Sequence, residues 1–261
     1  MRGGLTFREP EECSVLEVSD LIKRFGNLTI FDGFSLRVPR GGFTALVGPS
    51  GCGKSTLFDV LTGVVAKDNG EISWLGDDVC HLGKKAAYMQ QKDLLLPWLS
   101  LLDNALLPTR ISRRNGDARE KALYLFNRLG LQGFEDYPPG KVSGGMRQRC
   151  ALVRTLMFEH ELVLLDEPLS ALDAITRKSL QSHLLLLQSE FKKTILMITH
   201  DVEEALLLAD EVLVLTPFPM NVRERIVLTS RKPRKSSMPE LLETKEHVLE
   251  ELEGEGAREK I

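Results

Sequence analysis

The feature that most constrains the fold is a glycine-rich segment, GPSGCGKST, at residues 48–56. The five residues before it, FTALV, are apolar and predict a short buried strand, and the residues from Ser55 onward predict a helix. A Gly-x4-Gly-Lys-Ser loop between a strand and a helix is built to wrap backbone amides around phosphate oxygens. The segment therefore predicts a nucleotide-binding chain.

Each residue type in this loop has a reason to be there. Glycines permit backbone conformations that other residues avoid, and the amides at the helix start point at the anion. Lys54 is expected to reach the β- and γ-phosphates, and Ser55 to ligate Mg²⁺. The predicted ATP-binding residues here are Gly48, Pro49, Ser50, Gly51, Cys52, Gly53, Lys54, Ser55 and Thr56. The motif alone leaves a chance match in a glycine-rich turn as the alternative.

Two other runs end in polar residues suited to the same site. LVLLDE at residues 162–167 predicts a central parallel strand with Asp166 and Glu167 at its carboxyl end, where open α/β sheets bind ligands. Asp166 is expected to hold Mg²⁺ through its water shell, and Glu167 to polarise the attacking water. A solvated acidic turn is the alternative interpretation. The run TILMIT at 194–199 places His200 at another strand end, near the γ-phosphate.

A second anion-binding device distinguishes this chain from most phosphate-loop enzymes. VSGGMRQR at residues 142–149 offers the Ser143 hydroxyl and backbone amides at a predicted helix start. With this segment the chain resembles the ATP-binding cassette (ABC) ATPases over about residues 14–228. In that family the signature loop of one subunit closes on the nucleotide that another subunit holds.

The resemblance implies roles for individual residues in family order. It assigns Phe25 to adenine stacking, and Gln91 to sensing Mg²⁺ and coupling to the transporter. The signature residues are Ser143, Gly144 and Gly145, and Asp173 belongs to the D-loop at 170–173. The metal ligands are Ser55, Gln91 and Asp166, and the catalytic residues are Glu167 and His200. Gln90 is an alternative to Gln91, which we choose for its distance to Pro97 and Trp98. Two positions depart from many relatives, Met146 where glutamine is common and Phe25 where tyrosine is common.

Two aromatic residues also have simpler interpretations: Phe25 as a core aromatic, and Trp98 as helix packing with its neighbouring leucines.

Met146 with Arg-Gln-Arg, and LLPW at 95–98, resemble the branch that serves importers of nitrate, sulfonates, taurine and thiamine-pyrimidine precursors. The resemblance implies a head-to-tail homodimer with ATP between the copies, a transmembrane permease as partner and, indirectly, an extracytoplasmic solute-binding protein. Three alternatives are an exporter subunit, a soluble cassette acting on DNA or ribosomes, and a small-acceptor kinase.

Composition narrows the class further. The formal net charge is −3 with both signs interspersed, which argues against a nucleic-acid partner. The four cysteines show no CxxC pairing, as expected in a reducing compartment. We expect the pKa of Cys52, near a helix start, to fall and its alkylation to block ATP. No apolar run approaches the roughly 20 residues of a membrane span, and Arg2 precedes no signal-type run, so we expect the chain to remain in the cytosol. The resemblance implies that it lies at the cytoplasmic face of the membrane, bound to the permease.

The predicted fold class is α/β, a P-loop NTPase with a RecA-like core and mainly parallel sheet, an accessory antiparallel β layer and an inserted helical subdomain. The ABC ATPase domain covers 14–230, with core and β layer at 14–91 and 159–230 and helices at 92–158. Predicted core strands are 43–47, 86–89, 162–166, 194–199 and 212–215, and predicted accessory strands are 14–21, 35–38 and 71–74. Residues 231–261 are predicted to form a basic linker and a helical tail. We expect the tail helix to dock on the core rather than to have a regulatory role, and the chain to be disordered from about Gly254.

Overall fold

The structure, a computed structural model, describes residues 14–112, 116–170 and 172–256. In chain order its strands and α-helices are β1 (Ser14–Phe25), β2 (Leu28–Pro39), β3 (Phe43–Val47), α1 (Lys54–Thr62), β4 (Asn69–Trp74), β5 (Asp77–Asp78), β6 (Ala86–Met89), α2 (Leu101–Ile111), α3 (Ala118–Arg128), α4 (Gly144–Leu156), β7 (Leu162–Asp166), α5 (Ala174–Ser189), β8 (Thr194–Thr199), α6 (Val202–Leu208), β9 (Glu211–Leu215), β10 (Val222–Val227) and α7 (Pro239–Gly256).

The apolar runs form one six-stranded sheet in the order β10-β9-β3-β8-β7-β6. All pairs are parallel except β10 with β9. Every residue of β3, β7, β8 and β9 is buried, because both faces of the sheet are covered and such strands need no polar side. The predicted mainly parallel core is confirmed, with β9 starting one residue earlier than predicted. The edge strand β10 was not predicted, since VRERIV alternates without an apolar run.

The accessory layer is an antiparallel sheet in the order β2-β1-β4-β5. Its first two strands are longer than the predictions of 14–21 and 35–38, because β1 and β2 stay paired through several register shifts, one next to Asp20 at φ 50°. Phe31 and Phe34 from this layer are fully buried with Leu57 and Phe58 of α1 against one face of the parallel sheet. The layer thus positions the helix that follows the phosphate loop.

The opposite face of the sheet carries the helices. α2 packs against α4, and Leu101, Phe126 and Leu152 are buried in the cluster that continues onto β7 and β8. α2, α3 and α4 all fall within the range 92–158 predicted to be helical. α4 begins at Gly144 as predicted, because the Ser143 hydroxyl accepts a hydrogen bond from the Met146 amide and caps it.

The carboxyl-terminal segment packs on the core. Leu241 and Val248 of α7 are buried, and α7 lies against α6. Arg234, in the predicted basic linker, is 7% exposed and donates to the carbonyl oxygens of Leu206 and Ala209. α7 extends through Gly256, residues 257–261 lie outside the described residues, and disorder from about Gly254 stays a prediction. Of the helices in the described ranges, none combines the length and apolar character needed to cross a bilayer.

Candidate active site

The site lies at the carboxyl edge of the parallel sheet. The loop 48–56 follows β3, His200 follows β8, and Asp166 and Glu167 end or follow β7. Since β8 lies between β3 and β7, these three strand ends are neighbours. The topology therefore brings together residues that the sequence separates by more than a hundred positions.

The phosphate loop, residues 48–56, is a tight turn around the Lys54 ammonium. Nζ of Lys54 donates to the carbonyl oxygens of Gly48 at 2.8 Å and Pro49 at 2.7 Å, and the residue is buried. Gly53, at φ 112°, precedes α1, and a Cβ there would lie 2.6 Å from Cγ2 of Ile30. A side chain at this position is excluded both by backbone conformation and by space. Ser50, Gly51 and Ser55 are exposed, and Pro49 and Thr56 are half-buried.

Cys52 does not have the reactive environment that we expected. Its side chain is buried, with Sγ 3.8 Å from Sδ of Met220 and 3.8 Å from Nζ of Lys54. Burial raises the pKa of the Cys52 thiol, and the nearby Lys54 charge only partly opposes this. The expectation of a lowered pKa is therefore wrong.

The oxygen ligands expected for Mg²⁺ are next to one another. Asp166 is 4% exposed, and its carboxylate accepts a hydrogen bond from the Tyr88 hydroxyl at 3.3 Å. Burial raises the pKa of Asp166, and the Ser55 and Tyr88 hydroxyls oppose the rise. A buried carboxylate beside a hydroxyl is a donor set that suits Mg²⁺, which prefers oxygen ligands and commonly takes one or two carboxylates with substrate phosphates.

Two side chains converge on one oxygen of Glu167. Nε2 of Gln91 donates to Oε2 at 3.0 Å, and Nδ1 of His200 lies 3.2 Å from the same oxygen. The backbone of Glu167 has φ 45°, and its amide donates to the carbonyl oxygen of Ile198 at 2.9 Å, which holds the turn after β7. The structure thus brings Gln91 to Glu167, where the sequence left Gln90 open. This geometry orients a carboxylate as a base for water.

The signature residues lie elsewhere in the same chain. Ser143 and Gly144 are exposed at the start of α4, and a Cβ on Gly145 would lie 2.1 Å from Cγ2 of Thr176 in α5. Among the described residues, no hydrogen bond or ion pair joins Ser143, Gly144 or Gly145 to the phosphate loop. Within one copy, then, the two anion-binding devices do not meet through such contacts.

Asp173 caps α5. Its carboxylate accepts from the Thr176 hydroxyl at 2.7 Å and from the amides of Ile175 and Thr176, and the Thr176 hydroxyl is the main cause that lowers the pKa of Asp173. Ala171, within the predicted D-loop, lies outside the described residues. The cap fixes the direction in which α5 leaves this loop.

The two uncertain aromatic residues are both exposed. Phe25 is 48% exposed at the end of β1, with Nζ of Lys23 5.0 Å from its ring centre. Trp98 is 75% exposed and precedes α2. The interpretation of Phe25 as a core aromatic and that of Trp98 as helix packing are therefore wrong.

Sequence reasoning missed the residues that support the site. Tyr88 contacts Asp166, and Glu204 of α6 accepts from the Thr199 hydroxyl at 3.0 Å, directly behind His200. Burial raises the pKa of Glu204 to about 6. A signal for Glu204 was present, because Asp201 followed three residues later by glutamate at a helix start is a capping pattern. Tyr88 had only the signal of one polar atom in an apolar strand.

The fold and the site together define a P-loop nucleoside triphosphatase in which Ser143 and Gly144 are exposed at the start of α4. The family described as ABC transporter matches residues 31–170. The formylaminopyrimidine import ATP-binding protein ThiZ of Halalkalibacterium halodurans is 38% identical, over 84% of this chain and 86% of that protein. An aliphatic sulfonates import ATP-binding protein of Rhodococcus jostii is 38% identical over 91% and 93%, and the taurine import ATP-binding protein of Yersinia pseudotuberculosis is 36% identical over 90% and 96%.

A solved structure is similar as well. A dimeric ATP-binding cassette in a post-hydrolysis state, bound to ADP and Pi, aligns with a TM-score of 0.73 at 25% identity, over 83% of this chain and 100% of that one. The chain belongs to the ABC transporter family. It is an ATP-binding subunit and an ATPase.

Proposed function

We propose that the chain powers import of a small solute of the nitrate, sulfonate, taurine or thiamine-pyrimidine-precursor type through a separate permease. Three relatives at 36–38% identity carry names that state import of formylaminopyrimidine, aliphatic sulfonates and taurine, which supports this class of solute. The chain would act on the cytoplasmic face of the membrane, bound to permease subunits and served indirectly by an extracytoplasmic solute-binding protein.

The observation that carries the proposal is the convergence of Gln91 and His200 on Oε2 of Glu167. A carboxylate held in this way keeps its second oxygen free to orient a water for attack on the γ-phosphate. Lys54 in its loop would contact the β- and γ-phosphates, and Phe25 would stack on the adenine. We assign Glu167 and His200 to catalysis on this basis.

Mg²⁺ would be held by Ser55, Asp166 and Gln91 together with nucleotide phosphates. When bound, it would neutralise charge on the β- and γ-phosphate oxygens. The interaction between the Ser55 hydroxyl and the buried Asp166 carboxylate supports this assignment, because both groups offer the oxygen ligands that Mg²⁺ prefers.

Two copies would pack head to tail, with each ATP between the phosphate loop of one copy and Ser143, Gly144 and Gly145 of the other. Support comes from the exposure of Ser143 and Gly144 at a helix start, a position where amides bind anions. Asp173, exposed at the neighbouring start of α5, would lie at the same interface. Gln91 and the exposed Trp98 would face the permease.

Isolation from native membranes tests transport directly. The tagged chain is purified from detergent-solubilised membranes, and its companions are identified by mass spectrometry. We expect a multi-span permease, because the relatives are import ATP-binding proteins and because Leu94 and Trp98 expose apolar side chains on one loop. Recovery with ribosomes, with DNA, or only from the soluble fraction would contradict the transport proposal and leave the ATPase assignment intact.

A further inference from the structure

One guanidinium joins the signature loop to the loop that carries Gln91. Nε of Arg147, in the first turn of α4, donates to Oδ2 of Asp93 at 3.0 Å. Nη1 of the same residue donates to the carbonyl oxygen of Val142 at 3.1 Å. Val142 immediately precedes Ser143, and Asp93 lies two residues after Gln91. Arg147 therefore touches both loops at once.

A second arginine of α4 binds the backbone of the same loop, the one that carries Gln91. Arg154 lies seven residues after Arg147, two helical turns along the same face. Its guanidinium donates to the carbonyl oxygens of Leu94 at 2.8 Å and Asp93 at 2.6 Å. Asp93 in turn accepts from the Leu95 amide at 3.3 Å, and Leu94 has φ 46°. The loop is thus folded onto α4 by its backbone as well as by its side chain.

The next part of the loop is held by α2. Asn104, fully buried, accepts from the Leu96 amide at 2.7 Å and donates to the carbonyl oxygens of Leu96 at 3.1 Å and Ser100 at 2.9 Å. Because α2 packs against α4, the loop and both helices form one set of contacts. Leu94 and Trp98 remain on the outer side, 49% and 75% exposed.

We propose that Arg147 is a positioning residue that transmits movement between the signature loop and the exposed loop at residues 91–98. A movement of Val142 and Ser143 displaces the guanidinium, and the charge-assisted bond to Asp93 carries that displacement into the loop. Arg154 anchors the loop to α4 and leaves Arg147 as the member of the pair that contacts the signature loop. The proposal rests on the proposed function, in which the signature loop closes on a nucleotide held by a second copy.

Trp98 is a natural reporter of this loop. The chain has two tryptophans, and Trp74 is 8% exposed, so acrylamide quenches mainly Trp98. A Trp98→Phe variant supplies the Trp74 background. Quenching is measured with and without ATP and Mg²⁺ in a Glu167→Gln chain, which is designed to hold ATP without hydrolysis, while light scattering follows dimer formation.

The test variant is Arg147→Met, which keeps the methylene stem and removes the guanidinium. Asp93→Asn, which keeps the size of the side chain and the acceptor for Leu95, provides a second route if Arg147→Met folds poorly. Arg110→Met is the matched control, because it removes another guanidinium–carboxylate pair, with Asp103, from the same group of helices.

We expect ATP to change the quenching of Trp98 in the parent chain and in the Arg110→Met control, because both keep Arg147. Arg147→Met and Asp93→Asn should lose that change while they bind ATP and dimerise as the parent does. An unchanged Trp98 response in both variants, or no response in a parent that dimerises, would overturn this inference and leave the proposed function intact. Failure of the parent to dimerise with ATP would instead overturn the proposed function and the inference with it.

Discussion

At the scale of single residues, the site is organised by contacts behind the groups that would meet ATP. His200 lies between Thr199, which donates to Glu204, and Asp201, whose amide donates to the Thr199 hydroxyl at 3.0 Å. Arg177 from α5 lies 3.6 Å from both Asp201 and Glu204. This polar network, in which Thr199 and Glu204 are buried, orients the turn that carries His200.

Glu204 makes that network sensitive to pH. Burial is the main cause that raises its pKa from 4.5 to about 6, with Asp201 adding to the rise. Between these values the folded chain binds more protons than the unfolded chain, so stability falls as pH rises. A glutamine at this position does not titrate. Between pH 4.5 and pH 7, the unfolding free energy of Glu204→Gln should therefore rise by about 2 kcal/mol relative to that of the wild type.

Urea unfolding of both proteins at the two pH values measures this shift. Glu203→Gln, which removes the neighbouring carboxylate whose side chain is 42% exposed, is the matched control. Parallel stability profiles for wild type and Glu204→Gln would contradict the prediction.

The residues of the candidate site were largely predictable, because Asp166, Glu167 and His200 stand at the ends of apolar runs and Lys54 lies in a glycine-rich motif. The environments of the site residues could not be predicted in the same way. The sequence places Cys52 at a helix start, which predicts a lowered thiol pKa, but it does not show that Met220 covers the sulfur. Contacts made across long sequence separations decide whether burial or charge governs a pKa.

At the scale of elements, the start of α4 is fitted closely against α5. A Cβ on Gly145 would lie 2.1 Å from Cγ2 of Thr176, whereas a Cβ on Gly144 would meet nothing closer than Nη2 of Arg147 at 3.7 Å. The two signature glycines therefore have different reasons to be small. Gly145 permits helix packing, and Gly144 leaves open space at the exposed loop.

This difference predicts opposite results for two neighbouring substitutions. Gly145→Ala should destabilise the protein by about 1–3 kcal/mol through overpacking, and Gly144→Ala should be neutral or slightly stabilising because alanine favours helix. Thr176→Ser should rescue Gly145→Ala, since it removes Cγ2 and leaves Thr176 atoms no closer than 3.4 Å, while it retains the hydroxyl that caps with Asp173. Denaturant unfolding measures all four proteins; equal stability of the two alanine variants would refute this account.

The elements that could be predicted are those with one dominant pattern. β3, β6, β7 and β8 have the predicted bounds because continuous apolar runs stop abruptly at polar residues. β10 escaped prediction because an edge strand with one solvated face resembles a charged loop. The extent of β1 and β2 escaped it too, since their pairing continues through bulges that no local pattern marks.

At the scale of the whole molecule, the carboxyl-terminal segment is a structural part of the core. Nζ of Lys232 lies 2.6 Å from Oδ1 of Asp210 and 5.2 Å from the ring centre of Phe43 at the amino end of β3. Arg234 satisfies carbonyls at the end of α6. A basic, proline-containing run predicts a linker, but buried carbonyl partners so far away in sequence cannot be read from it.

Glu167→Gln should convert the molecule into an ATP-stabilised dimer. Glutamine keeps the size of the side chain and loses the basic oxygen, so we expect turnover to fall by roughly 100- to 10,000-fold while ATP binding is retained. Phosphate release, nucleotide binding and light scattering measure the three quantities. Glu161→Gln, a carboxylate paired with Arg40 away from the site, is the control. Near-normal turnover would contradict the role assigned to Glu167.

The backbone of Glu167, at φ 45°, has a consequence for attempts to engineer this protein. Glycine or asparagine adopts that conformation more easily than glutamate, so either should relieve local strain at position 167. A library screened for heat resistance alone would tend to accumulate them and lose hydrolysis with each one. Selection for a more durable version of this ATPase therefore has to reward turnover in the same round, because durability and chemistry favour different side chains at this residue.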